Sequence, residues 1–151
     1  MLPHSVKRGI IVTVDLTPIP AALIGAPYRA LDAEHIAVSL FAPIRNLSTE
    51  VAMFAFVDSE WRLLAVRTTP SDRADMVEIP VRTIVADALA FDAAAVVMAH
   101  NHPSGDATPS EDDRVLTRRL ARALDAVGMR LVDHLVLTGE QTVSFRRLGL
   151  L

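Results

Sequence analysis

A single α/β domain, a central mixed sheet flanked by helices, is the fold class this sequence predicts, on three observations. Its 151 residues fit one domain of ordinary size and leave no room for a second hydrophobic core. Short apolar, β-branched runs alternate with segments whose apolar residues recur at helical spacing. One run, Ala93 to Ala99, is apolar without interruption, as a strand covered on both faces of a sheet would be.

Gly9 to Asp15 is β-branched and apolar and reads as a short strand, after which Pro18, Pro20, Gly25 and Pro27 make residues 16–31 an irregular connection. Asp32 is suited to cap a helix through His35, Ile36, Val38 and Leu40, which Pro43 stops, with His35 a surface residue of it. Val51 to Val57, the polar Asp58-Ser59-Glu60 and then Trp61 to Val66 read as strand, tight turn and strand. Residues 68–78 are polar and predict a loop. Pro80 suits the first turn of a helix reaching about Phe91, with Ile84, Val85, Ala88 and Leu89 as its apolar face. The strand Ala93 to Ala99 delivers His100 at its end. A loop with Pro103, Gly105 and Asp106 leads to an amphipathic helix from about Ser110 to Val127, closed by Gly128. Leu131 to Leu137 and Thr142 to Phe145 are the last strands, joined by a turn at Gly139-Glu140. No internal repeat, low-complexity segment or coiled-coil heptad is present.

Composition narrows the chemistry. The absence of cysteine removes disulfides and thiolates, so any metal must be held by nitrogen and oxygen. The apolar run near the N-terminus is too short for a signal-peptide core or a membrane span, and a cytoplasmic location is expected. A net charge of −3 lacks the basic balance behind most non-specific DNA affinity. Fourteen of the fifteen basic residues are arginine, and the cluster Arg114, Arg118, Arg119 and Arg122 reads as a solvated helix face.

His100 and His102, one residue apart at the end of a buried strand, project to the same side of an extended chain and can reach one metal ion. Surface loop histidines or hydrogen-bonded structural ones are the alternatives for such a pair. Asp113 would complete a two-histidine, one-carboxylate set of the kind that leaves a catalytic zinc one open position for water. The same Ser110-x-x-Asp113 sequence also has the form of a helix capping box, and one carboxylate oxygen cannot fully serve both purposes. A metal-assisted hydrolysis further requires a carboxylate to move protons. Spacing alone does not choose among Glu50, Glu60 and Glu78.

The passage Ala99-His100-Asn101-His102-Pro103-Ser104-Gly105-Asp106, continuing to Pro109, Ser110 and Asp113, resembles the signature loop of the RadC family, with its JAMM (MPN+) pattern of His-x-His, seven residues and Ser-x-x-Asp. Val132 to Leu137 and the ending Ser144 to Leu151 resemble that family's C-terminal strands, and Glu50 stands where RadC-like sequences carry a glutamate. The resemblance covers residues 32–151, a JAMM/MPN-like domain of cytidine-deaminase-like architecture, and leaves residues 1–31 as an N-terminal strand and proline-rich connection. It implies that His100, His102 and Asp113 bind Zn2+, that Glu50 acts as acid and base, and that Ser110 steadies the oxyanion. The activity implied is a zinc-dependent hydrolase of peptide, isopeptide or related amide bonds, with a peptide or protein as substrate. Asn101 and Ser104 shape the loop in this reading, and His134, also at a family position, is structural.

The chain departs from the family in two places. Residues 1–31 stand where RadC proteins carry a helical, DNA-binding-like segment, and Ile79-Pro80-Val81-Arg82 replaces a His-Pro-Arg-Glu stretch before the metal strand. The rival expectation is a DNA-repair-associated or protein-docking module with a structural or vestigial metal site; the acidic charge weighs against direct nucleic-acid contact. A His-Asn-His nuclease fits poorly, since such enzymes spread their histidines over a longer unit.

Overall fold

The computed structural model describes residues 13–14, 39–70 and 81–151. The helix expected after Asp32 lies outside the described residues except for its end near Ser39, as do His4, His35, Glu78 and the region 71–80.

Six strands form one mixed sheet: β1 (Thr13–Val14), β2 (Val51–Val57), β3 (Leu63–Pro70), β4 (Ala95–Asn101), β5 (Arg130–Leu137) and β6 (Thr142–Ser144). Their spatial order is β1-β3-β2-β4-β5-β6. β2 runs antiparallel to both β3 and β4, and β5 antiparallel to β6, while β4 and β5 are parallel. A parallel pair needs a long crossover. Helix α2 (Glu111–Ala126) supplies it and begins just past the end of β4. Helix α1 (Val81–Ala90) precedes β4, and a 3-10 turn at Ala42–Ile44 precedes β2.

β2 and β4 are buried along their whole length, so the uninterrupted apolar runs have apolar neighbours on both faces. On one face Phe54, Phe56, Val96 and Met98 pack against Ile84 and Ala88 of α1 and Leu120 and Leu124 of α2. On the other, Met53, Ala55, Val97 and Ala99 meet Leu40, Phe41 and Ile44. Burying these side chains is the main stabilising term, at about 1.5–3 kcal/mol for each large apolar residue.

Local departures from the sequence reading have physical causes. Leu89 is exposed, because it lies about 140° around the helix from Ile84. Trp61 belongs to the turn, at φ +62, where the Asp58 carboxylate accepts the N–H groups of Glu60 and Arg62. β3 continues to Pro70 because Thr68 and Thr69 pair with Met53 and Ala52 of β2, so the polar stretch read as loop begins as strand. Gly128 takes the left-handed conformation that ends α2, at φ +78, and the Met129 N–H closes onto the Leu124 carbonyl at 2.9 Å. In β5 the register slips by one residue: Val96 faces Leu131 but Val97 faces Asp133, leaving Val132 as a bulge. Among the described residues no helix is long and apolar enough to cross a membrane.

Candidate metal centre

Strand alternation places His100 on the same sheet face as Val96 and Met98, looking toward the start of α2, with Asn101 on the opposite face. His102 lies one residue beyond the strand, and its N–H extends the ladder to the Leu137 carbonyl at 2.8 Å. The chain then turns back through Gly105, whose φ of +84 favours glycine, and its N–H bonds the His102 carbonyl at 3.1 Å. This turn brings the Asp106 carbonyl to 2.8 Å from His102 Nδ1. A carbonyl can only accept, so Nδ1 of His102 carries a proton and Nε2 is the nitrogen left to face the site.

His100 Nε2 lies 2.8 Å from His102 Nε2. Two bare lone pairs at that separation repel, so the contact requires a proton or a cation between them. Asp113 caps the helix and also faces the two histidines, with Oδ2 taking part in both contacts. Oδ2 accepts the Ser110 N–H at 2.8 Å while Ser110 Oγ accepts the Asp113 N–H at 3.0 Å, a complete capping box. Oδ1 takes no part in the cap and sits 3.3 Å from His100 Nε2, and Oδ2 is 3.3 Å from His102 Nε2. Because the cap uses Ser110 Oγ as an acceptor, its O–H is left to donate.

Glu50 completes the cluster. Its Oε1 lies 3.8 Å from His100 Nε2 and 3.6 Å from His102 Nε2. Glu50, His100 and His102 offer ligand atoms all within 4.8 Å of one another, an arrangement able to hold a metal ion. Glu60, by contrast, is paired with Arg62 in the exposed turn at the far end of β2. Arg118, Arg119 and Arg122 are exposed on α2, and Arg118 pairs with Glu111 at 3.2 Å.

Residues 31–150 match the RadC-like JAB domain. The chain belongs to the RadC-like JAB domain family. Its relatives include two Escherichia coli (strain K12) proteins. UPF0758 protein YkfG is 36% identical over 149 residues, covering 91% of this chain and 94% of that protein. UPF0758 protein YfjY is 43% identical over 106 residues, 70% of this chain and 66% of YfjY. A UPF0758 protein of Polaromonas sp. (strain JS666 / ATCC BAA-500) is 45% identical over 102 residues, which span 46% of its length. The match thus spans about two thirds of YfjY and under half of the Polaromonas protein.

The electrostatics of this JAB site are tightly coupled. Burial of Asp113 favours its protonated form, but hydrogen bonds with His100 and His102 and the Ser110 N–H outweigh burial and hold the carboxyl well below the usual range. The hydrogen bond with Asp113 raises His102 above 6.5 against the opposing effect of burial. His134, fully buried, is driven well below 6.5 by loss of solvent and then by the neighbouring His100.

Three residues of this JAB domain shape the centre without having been assigned to it from sequence. Asn101, wholly buried, accepts the Val51 N–H at 2.6 Å and donates to the carbonyls of Leu47 at 3.2 Å and Thr49 at 2.9 Å. It clamps the chain on both sides of Glu50, and its place between the two histidines was the available signal. His134 Nε2 stands 2.6 Å from His100 Nδ1, and its ring stacks on Phe145 at 4.4 Å. Thr117 Oγ1 lies 2.6 Å from both His134 Nδ1 and the Asp113 carbonyl. Nothing in the sequence distinguishes Thr117 from other polar residues of an amphipathic helix.

Proposed function

We propose that the domain is a zinc-dependent hydrolase of peptide, isopeptide or related amide bonds, with His100, His102 and Asp113 as the metal ligands. The observation that carries this reading is the convergence of two imidazole Nε2 atoms and a carboxylate within 2.8–3.3 Å of one another, with a second carboxylate alongside. The donor set fits the ion: ligands about 2.0–2.1 Å from a tetrahedral zinc stand about 3.3 Å apart. Neutral imidazoles and an ionised carboxylate are the ligand forms zinc requires, and Asp113 is held ionised here. When bound, zinc would supply Lewis acidity toward a carbonyl and toward a water.

In this reading Glu50, only 12% exposed at its side chain and 3.8 Å from His100 Nε2, would take a proton from the attacking water and return it to the leaving nitrogen. Ser110, whose O–H the cap leaves unused, would in the same reading donate to the oxygen of the carbonyl under attack. The low exposure of His100, His102 and Asp113 limits competing bulk water and strengthens each of these interactions.

The test uses peptides and isopeptides screened with the parent protein. In Glu50→Gln the metal should be retained while turnover falls about 10²–10⁴-fold, the range for a lost general acid–base group. Undiminished turnover in that variant would remove Glu50 from the chemistry.

A further inference from the structure

We infer that His134 and Thr117 are positioning residues that lock the tautomer of His100, forcing its Nδ1 to carry the proton and its Nε2 to present a lone pair to the metal centre. The inference deepens the zinc reading above and rests on it for its purpose, though the tautomer itself is a property of the metal-free chain.

Proton accounting along one chain of contacts carries the inference. The Asp113 carbonyl can only accept, and Thr117 Oγ1 lies 2.6 Å from it, so the single hydroxyl proton of Thr117 is committed there. Thr117 Oγ1 is also 2.6 Å from His134 Nδ1. With its proton already used, the hydroxyl can only accept, and His134 must donate from Nδ1. His134 is completely buried, its ring stacked on Phe145, and among the described residues its two ring nitrogens meet Thr117 Oγ1 and His100 Nδ1 and no carboxylate. A charged imidazolium there would lose its hydration without a counter-ion, so the ring is neutral and its Nε2 bears a lone pair. That lone pair faces His100 Nδ1 at 2.6 Å, and His100 must therefore donate from Nδ1. Its Nε2 is then bare and aimed at His102, Asp113 and Glu50. The Asp106 carbonyl does for His102 in one step what this three-member chain does for His100.

The chain also ties the ligands together. It ends on the backbone of Asp113, so the residue that supplies the carboxylate anchors the group that orients the histidine. Such outer partners fix ring orientation and raise the basicity of the ligating nitrogen.

The experiment has two arms on the full chain. Long-range 1H–15N correlation of histidine-labelled, metal-free protein reads each tautomer directly. His100 and His134 should both be Nδ1–H, and a His100 Nε2–H tautomer would overturn the inference. In the second arm, zinc affinity is measured by chelator competition in Thr117→Val and Thr117→Ser, with circular dichroism confirming the fold. Valine keeps the shape but removes the acceptor for His134, so affinity should fall about 10–100-fold, and serine should restore it. Parent-like affinity in a folded Thr117→Val would overturn the lock. A parent protein with the expected tautomers that binds no zinc would overturn the hydrolase reading and leave the lock standing; zinc binding with reversed tautomers would do the opposite.

Discussion

Asn101 shows how much a single buried amide can decide. Its three hydrogen bonds hold the backbone immediately before and after Glu50, so the glutamate reaches the histidines from a fixed base. Asn101→Ala would leave the buried Val51 N–H without its partner, a loss of about 1–3 kcal/mol, and would release the carbonyls of the exposed Leu47 and Thr49. The variant is expected to melt earlier and to turn over more slowly while still binding metal through His100 and His102. Unchanged turnover with lower stability would confine Asn101 to a structural role. His134 sets a pH dependence in the metal-free protein. It is held well below 6.5, so below that pH the unfolded chain takes up a proton that the folded chain refuses. Its stabilising contribution is complete above pH 6.5 and declines as pH falls, with a slope approaching about 1.4 kcal/mol per pH unit. His102, raised by its hydrogen bond with Asp113, works in the other direction: its contribution is complete below 6.5 and is lost as pH rises through its raised value. Asp113, lowered, contributes above 3.8 and loses that contribution only in stronger acid. As pH falls below 6.5, urea unfolding of metal-free protein should therefore track His134, and His134→Gln should flatten the curve. An equally steep curve in that variant would assign the slope to another group. The histidine pair was legible because a strand's alternation needs no knowledge of its partners. His134 was not, since the bulge at Val132 shifts the phase of β5 and turns His134 toward His100, and a bulge is a property of pairing between strands.

At the level of elements, α2 serves both the packing of the sheet and the candidate metal centre. Its first turn supplies the cap and the Asp113 carboxylate that faces the two histidines, its second turn supplies Thr117, and its buried stripe of Leu120 and Leu124 fixes it on the sheet. Leu120→Ala would open a cavity under the helix and should cost about 2–5 kcal/mol. Denaturant unfolding measures this directly, and a loss under about 1 kcal/mol would mean that the helix is held mainly by other contacts. Most elements were legible from the sequence: the runs Val51 to Val57 and Ala93 to Ala99, the helical spacing before Phe91 and the Ser110 cap each carry a local signal. The end of β3 was not, because Thr68 and Thr69 have the composition of a loop and become strand through pairing with β2. The geometry of Asp113 was not legible either: Oδ2 accepts the cap while lying against His102, and Oδ1 lies against His100.

On the scale of the whole molecule, the parallel pairing of β4 and β5 sets the arrangement, because it requires α2 to begin beside the strand end that carries His100. Open α/β sheets place ligands at such strand ends, and here Glu50 arrives from the start of the antiparallel neighbour β2 at the same place. Four chain segments thus meet at one point: the approach to β2, the end of β4, the loop after it and the first turn of α2. A metal ion held there links all four and should stabilise the fold, by about 2.7 kcal/mol when free zinc stands at a hundred times its dissociation constant. The central claim concerns this ion, and the most direct measurement is the metal content of purified parent protein beside that of the His100→Ala/His102→Ala double variant, each dialysed against the same zinc buffer. One zinc per chain in the parent and none in the variant is the expected result; no zinc in the parent, or equal zinc in both, would contradict it.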